Sequence, residues 1–135
     1  NTRSTLPLKN SKPVYVAGSN ADNIGNQAGG WTLTWQGGST NVVPGTTILD
    51  GIKADDSNVT YSQDASATMP KNAIGVVVVG ETPYAEGVGD IGNGRADLSL
   101  SAADRTAIGR VCGAMKCAVL VVSGRPMILD KAQRG

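Results

Sequence analysis

The chain has 135 residues, which is the length of one domain with a modest hydrophobic core. Its 12 Lys and Arg nearly balance its 11 Asp and Glu, and no basic cluster occurs, so a nucleic-acid partner is not expected. No apolar run approaches the ~20 residues of a membrane helix, so a membrane partner is not expected either. The chain contains no histidine, which excludes Ser-His-Asp and Cys-His catalysis and removes the commonest metal ligand. Any chemistry is therefore expected from carboxylates, Lys, Tyr or Cys, without a metal or another cofactor.

The predicted elements alternate between strands and helices. Residues 1–12 are polar and resemble an inter-domain linker, and residues 13–135 are predicted to form one α/β domain with a mainly parallel sheet. A long loop at 19–44, rich in Gly, Asn and Ser, is of a kind that is usually functional or disordered, and its two tryptophans argue against disorder. The patterns predict strands at 13–18, 58–62, 73–80 and 118–124, and helices at 46–54 and 102–112.

Unbroken apolar runs mark two of these strands as buried on both faces. The run of four valines at 76–79 is typical of a central parallel strand, and 118–124 is predicted to be fully buried in the same way. Three unusual loops follow predicted strands, namely SNADNIGNQAGGW, GETPYAEGVGD and SGRPM. Because ligand sites of open α/β sheets lie at the carboxyl ends of the strands, we expect these loops to meet at one edge.

The loop GETPYAEGVGD holds both glutamates of the chain, Glu81 and Glu86. Glu86 is either a solvated loop acid or a general acid/base, and the second role requires burial or a neighbouring carboxylate to raise its pKa. Pro83 stiffens the loop, and Tyr84 adds a hydrogen-bonding ring. Glu81, directly after the strand, is expected to be a structural acceptor, and Arg125 is expected to brace a neighbouring loop acid or carbonyl.

Two tryptophans, Trp31 and Trp35, stand among glycines in GGWTLTWQGG. An indole in a polar loop offers a flat apolar face with a hydrogen-bond donor at its rim, which is the kind of surface that binds sugars. Trp35 is the better candidate for such a platform, whereas Trp31 is expected to fill the core.

Residues 87–92 match the pattern G-x-G-x-x-G, which in a strand-turn-helix setting binds dinucleotides. Here the glycines begin well after the predicted strand and the next helix starts about ten residues beyond them, so no helix N-terminus can receive a pyrophosphate. The interpretation that we favour is that these glycines let a loop bend close to another surface.

The two cysteines, Cys112 and Cys117, cannot complete a zinc site without further Cys or His, so a structural role is expected. In an oxidising compartment the two can form a disulfide, which would suit a periplasmic or secreted protein. Two reduced, buried thiols are the alternative.

Four motifs in order resemble the second domain of glycoside hydrolase family 3, in the branch of β-glucosidases and exo-acting β-1,3/1,4-glucan glucohydrolases. They are YVAGSNADNIGNQAGGWTLTWQG, GTTILDGIK, VVVVGETPYAEGVGD and VLVVSGRPMIL. The resemblance implies a three-layer α/β sandwich whose active site lies against an N-terminal (β/α)8 barrel domain. It also implies a β-glucan or β-glucoside substrate that loses glucose from its non-reducing end.

The resemblance further implies a retaining reaction in which Glu86 is the acid/base and Trp35 is one wall of the sugar-binding cleft. From the residues themselves, and not from the resemblance, Glu81, Tyr84 and Arg125 are expected to support the site structurally. The nucleophilic aspartate of such enzymes belongs to the barrel, which this sequence lacks, and the last strands of the sandwich are not evident after SGRPM. We therefore expect an incomplete domain that is inactive on its own. A non-catalytic carbohydrate-binding module that uses Trp35 is the alternative, and a nucleotide-binding domain is a weaker one.

Overall fold

The computed structural model describes residues 4–8, 11–41, 43–92 and 97–131. Its described part contains a four-stranded parallel sheet in the order β2-β1-β3-β4. The strands and helices are β1 (Val14–Ala17), α1 (Ile24–Ala28), α2 (Ile48–Asp55), β2 (Val59–Tyr61), β3 (Ile74–Gly80), α3 (Ala102–Ala114) and β4 (Cys117–Val122). This architecture confirms the predicted α/β class and the parallel sheet.

The central strand β3 follows from its run of valines. It pairs in parallel with β1 on one side, where Val16 aligns with Val76, and with β4 on the other, where Val121 aligns with Val79. All its residues except the last are buried. β-Branched side chains suit a pleated strand that is covered on both faces, so the pattern specifies this position directly.

The two faces of the sheet support two separate apolar cores. Because side chains alternate along a strand, Val77 and Val79 face the core that contains α3, whereas Val76 and Val78 face the core that contains Leu49 of α2. Helices on both faces of one sheet make three layers, as predicted for the sandwich.

The last strand, β4, is less buried than its sequence predicts. Leu120 and Val121 are 37 % and 40 % exposed, and every residue of the strand is at least partly exposed. The prediction of a fully buried strand was wrong because β4 lies at the edge of the described sheet and pairs with β3 alone. An apolar sequence reports the capacity for burial, whereas the position in the sheet decides how much of it is used.

The helix predicted from residue 102 begins there, and the helix predicted from residue 46 begins two residues later, at Ile48. Thr47 caps α2 by accepting a hydrogen bond from the Asp50 N–H, and Ser101 caps α3 by accepting one from the Asp104 N–H. The buried carboxylate of Asp104 accepts bonds from the Ser19 N–H and hydroxyl, at 3.1 and 2.9 Å. It therefore joins the start of α3 to the loop that follows β1.

The short helix α1 was not predicted, because it lies within the loop at 19–44. Asn23 caps it by accepting a hydrogen bond from the Asn26 N–H. Of the predicted linker, Thr5 is buried and Leu8 packs against the core on the α2 side. Residues 1–3 and 9–10 lie outside the described residues, and the role of residues 1–12 as a linker stays a prediction.

Cys112 in the last turns of α3 and Cys117 at the start of β4 form a disulfide across a turn. The bond joins the helix to the strand that follows it, on the α3 side of the sheet. In the described part of the chain, no helix has the length and apolar character needed to cross a membrane.

Replacing both cysteines by serine should lower the free energy of unfolding by about 2 kcal/mol, because the bond closes only a short loop in the unfolded chain. Urea titration with and without a thiol reductant measures this loss. The reductant should lower the midpoint of the native chain and leave that of the Cys112→Ser/Cys117→Ser variant unchanged. A native midpoint that ignores the reductant would contradict the expected contribution.

Candidate functional site

Three loops meet at the carboxyl edge of the sheet. We call residues 29–41 the Trp loop, residues 81–92 the Glu loop and residues 123–128 the Arg loop. The Trp loop follows β1 and α1, the Glu loop follows β3, and the Arg loop follows β4. Because these strands are parallel, the loops leave the sheet at the same edge, as the sequence predicts.

Trp35 and Glu86 touch across the first two loops. The indole Nε1–H of Trp35 donates a hydrogen bond to Glu86 Oε2 at 2.6 Å. Trp35 is 53 % exposed and Glu86 is also exposed, so the bond lies on the surface and leaves much of the indole uncovered. The structure therefore brings together a carboxylate and an aromatic platform that are 51 residues apart in the sequence.

The Trp35 N–H holds the pKa of Glu86 below its ordinary value, because the hydrogen bond favours the charged form, and the backbone N–H of Glu86 adds to this effect. Desolvation opposes the shift only weakly, since the carboxylate is exposed. A general acid needs the opposite shift. In the described part of the chain, the raised pKa that an acid role requires of Glu86 is therefore not found.

Glu81 lies at the other end of the Glu loop and is buried. Its Oε1 accepts hydrogen bonds from Arg125 Nη2 at 2.7 Å and Nε at 3.1 Å, and its Oε2 accepts one from the Ser123 hydroxyl at 2.7 Å. Burial raises the pKa of Glu81, but the bonds from Arg125 and Ser123 outweigh it and lower the pKa overall. Glu81 is thus held as a carboxylate inside the protein.

Arg125 joins the Arg loop to the Glu loop at three points. Besides Glu81 it donates to the carbonyl of Gly89, and its guanidinium lies 4.6 Å from the centre of the Tyr84 ring. The bonds to Glu81 raise the pKa of Arg125 above its ordinary value. These contacts have the form expected of Glu81 as an acceptor and of Arg125 as a brace, and they draw Tyr84 into the same cluster.

Trp31 does not fill the core, and that prediction was wrong. Its side chain is 70 % exposed and its ring centre lies 6.4 Å from that of Trp35. The backbone turns sharply here, with φ of 61° at Trp31 and 62° at Leu33, and the Trp31 N–H donates to the Trp35 carbonyl. This local fold keeps Trp31 on the surface, and Leu33 is 77 % exposed beside it. The Trp loop therefore exposes three large apolar side chains, those of Trp31, Leu33 and Trp35.

Glycines allow the Trp loop and the Glu loop to pack backbone against backbone. A Cβ placed on Gly30 would lie 2.1 Å from the Tyr84 carbonyl oxygen, and one on Gly37 would lie 2.8 Å from Pro83 Cβ. Neither position has room for a side chain. The glycines around the tryptophans thus serve the close approach of two loops.

The G-x-G-x-x-G segment lies in the turns of the Glu loop. A Cβ on Gly89 would lie 2.3 Å from the Tyr84 ring, so this glycine is needed for a close approach, as the favoured interpretation holds. In the described part of the chain, the first helix after this segment is α3, which begins at Ala102. Among the described residues, no helix therefore starts directly after these glycines.

Sequence reasoning missed Gln36 and a chain of buried amides beneath the Trp loop. Gln36 bonds to the backbone of the Glu loop through both the oxygen and the nitrogen of its side-chain amide. Asn26 Nδ2 donates to Asn20 Oδ1, and Ser39 donates to Asn26 Oδ1 at 2.6 Å. Polar residues in a Gly-rich loop carry no periodicity, so the only available signal was that loops of this length are usually functional or disordered.

The family model of the glycosyl hydrolase family 3 C-terminal domain matches residues 1–134. The chain belongs to this family. It is 32 % identical over 153 aligned residues to the lysosomal beta glucosidase of Dictyostelium discoideum, an alignment that covers 96 % of the chain and 18 % of that protein. The resemblance predicted from the four motifs is thereby confirmed.

Solved structures give the same assignment for this family 3 domain. A mutant of the exo-1,3/1,4-beta-glucanase of a Pseudoalteromonas species matches with a TM-score of 0.80 and 32 % identity, over 93 % of the chain and 21 % of that protein. A family 3 beta-glucosidase of Neurospora crassa matches over 96 % of the chain and 19 % of that protein, with a TM-score of 0.64, but at 18 % identity it supports the fold alone. The chain spans about a fifth of the length of these relatives.

Changing Trp35 to Phe should raise the pKa of Glu86 toward its ordinary value, because the ring stays and the N–H donor is lost. Carbon-13 NMR of a chain labelled at the glutamate carboxyls measures this directly, since Glu81 and Glu86 are its two glutamates. The matched control is Trp31→Phe, which removes an exposed indole without removing the bond to Glu86. An unchanged Glu86 titration in Trp35→Phe would contradict the hydrogen bond.

Proposed function

We propose that this domain supplies the acid/base of a retaining, exo-acting β-glucosidase or β-glucan glucohydrolase, and that Glu86 is that residue. The observation that carries the proposal is the hydrogen bond between the Trp35 indole and the Glu86 carboxylate at 2.6 Å. The bond places the Glu86 carboxylate, which can transfer a proton, at the edge of the Trp35 indole, whose face can stack on a sugar ring. The family membership of the chain and the names of its relatives support the same reaction.

In the proposed mechanism, an aspartate of an N-terminal barrel domain attacks the anomeric carbon while Glu86 protonates the departing glycosidic oxygen. Glu86 then takes a proton from water as that water cleaves the glucosyl-enzyme. Retention requires the two carboxyl groups to lie ~5 to 5.5 Å apart. The exposure of Glu86 and Trp35 supports a site of this kind, because both groups are open to a second surface.

The pKa of Glu86 fits the two stages of this reaction if a second domain covers it. Burial and a nearby nucleophilic carboxylate would both raise the pKa and favour the acid form before the first step. When the nucleophile becomes an ester its charge disappears, and the Trp35 N–H again favours the carboxylate that must act as base. We infer that the hydrogen bond seen in this chain stabilises the base form.

We also propose that the enzyme acts in an oxidising compartment, either the periplasm or the cell exterior, where it would take part in polysaccharide degradation. The disulfide between Cys112 and Cys117 supports this location, because such bonds persist outside the reducing cytosol.

The 135 residues alone should not hydrolyse β-glucosides, because the proposed nucleophile lies outside them. The measurement is release of aryl alcohol from an aryl β-glucoside by the purified chain, compared with the same preparation carrying Glu86→Ala. Turnover by the native chain that Glu86→Ala abolishes would overturn this part of the proposal.

In the enzyme that carries this domain, Glu86→Ala should lower kcat/KM by about 10²- to 10⁴-fold for alkyl glucosides, whose leaving groups need protonation. For a dinitrophenyl glucoside the loss in kcat/KM should be small, because that leaving group departs as the anion. The matched control is Asp90→Ala, which removes an exposed acid of the same loop. Equal losses for both substrates would remove Glu86 from the acid role.

A further inference from the structure

Gln36 joins the Trp loop to the backbone on either side of the Glu86 α-carbon. Its Oε1 accepts a hydrogen bond from the Ala85 N–H at 2.8 Å, and its Nε2 donates to the Glu86 carbonyl at 3.2 Å. One side-chain amide thus satisfies a donor and an acceptor of two successive residues. The two partners also fix the orientation of the amide, because only the oxygen can face an N–H and only the nitrogen can face a carbonyl.

Trp35 and Gln36 together contact both the side chain and the backbone of Glu86. Trp35 binds the carboxylate and Gln36 binds the backbone, and the two residues are adjacent in the Trp loop. The bonds of Gln36 do not involve the carboxylate, so a proton added to Glu86 weakens the contact with Trp35 and leaves the amide contacts in place. Gln36 therefore fixes the position of the backbone that carries the Glu86 side chain.

We propose that Gln36 is a positioning residue for proton transfer by Glu86. Through Gln36, the Trp loop fixes the backbone from which the Glu86 carboxyl extends. The proposal rests on the proposed function of Glu86. A long, exposed side chain has many rotamers, and its carboxyl reaches the glycosidic oxygen reproducibly only if the backbone beneath it is fixed. Gln36 acts through the Glu86 backbone and is not itself a catalytic residue.

A neutral amide is suited to this task in a way that its isosteres are not. Methionine has a similar shape but can neither accept from the Ala85 N–H nor donate to the Glu86 carbonyl. Glutamate keeps the acceptor, loses the donor and sets a negative charge against the Glu86 carbonyl. Both substitutions preserve size, so they test the hydrogen bonds rather than the volume of the side chain.

The chain contains a matched control in Gln27. Its Oε1 accepts from the Ile48 N–H at 3.0 Å and its Nε2 donates to the Thr46 carbonyl at 3.5 Å, which is the same two-bond arrangement at the start of α2. Gln27→Met therefore removes equivalent bonds from another part of the domain, where they do not hold Glu86.

The test compares kcat/KM for an alkyl and a dinitrophenyl β-glucoside in the enzyme that carries this domain. Gln36→Met and Gln36→Glu should each lose about 10- to 100-fold on the alkyl glucoside and at most about threefold on the dinitrophenyl glucoside. Gln27→Met should change kcat/KM by the same factor for both substrates. Equal losses on both substrates in the Gln36 variants would mean that Gln36 is only structural and would overturn the proposal.

Glu86→Ala, assayed beside these variants, separates the two possible failures. If Glu86→Ala shows the leaving-group dependence and the Gln36 variants do not, the proposal for Gln36 fails and the proposed function stands. If Glu86→Ala itself shows none, both fail together. Should the Gln36→Met enzyme not fold, Gln36→Glu gives the same comparison with a polar side chain of nearly equal shape.

Amide hydrogen exchange in the chain gives a second readout that needs no catalysis. Gln36→Met should speed exchange at the Ala85 N–H by about tenfold, because that donor loses its partner. Gln27→Met should leave Ala85 unchanged and speed exchange at Ile48. An Ala85 exchange rate that is the same with and without the Gln36 amide would also overturn the proposal.

Discussion

The parallel alignment of β1, β3 and β4 is the constraint on which the rest of the structure depends. It brings the carboxyl ends of three strands to one edge, so that the Trp, Glu and Arg loops leave the sheet side by side. Glycines make this edge compact. A Cβ on Gly18 would lie 2.1 Å from the Val78 carbonyl oxygen, and one on Gly80 would lie 1.9 Å from that of Val122. The loops can therefore begin in contact with each other.

The two glutamates of the Glu loop have identical side chains but different surroundings, and the surroundings give them different roles. Glu81 is buried next to the strand end, and its carboxylate is fixed by Arg125 and Ser123, which shape the base of the loop. Glu86 is exposed and its carboxylate has the Trp35 indole as a partner. Both pKa values are lowered, but Glu81 is committed to an internal ion pair, whereas the Glu86 side chain remains exposed at the surface.

The exposed face of the site is apolar as well as acidic. Trp31, Leu33 and Trp35 present large apolar side chains to the surface, and the Trp35 indole bonds to the Glu86 carboxylate. A group of this kind on a domain surface commonly marks a place that binds a ligand or another domain. The arrangement supports a site completed from outside the chain, which is the requirement of the proposed mechanism. The brace by Arg125 and the contacts of Gln36 hold the Glu loop from two sides.

The sequence by itself determined the sandwich, because runs and periods of apolar side chains report burial within an element and against its neighbours. It located β3 and the starts of α2 and α3 closely, and its motifs singled out Glu86 and Trp35. Only the tertiary structure decided the exposure of Trp31 and β4 and the contacts of Gln36. The exposure of Trp31 goes with positive φ angles in the Trp loop, and the exposure of β4 follows from its place at the edge of the described sheet. The contacts of Gln36 need a partner far along the chain, since Gln36 and Glu86 are 50 residues apart. No local pattern encodes such contacts, because they form only after the parallel strands have brought the loops together.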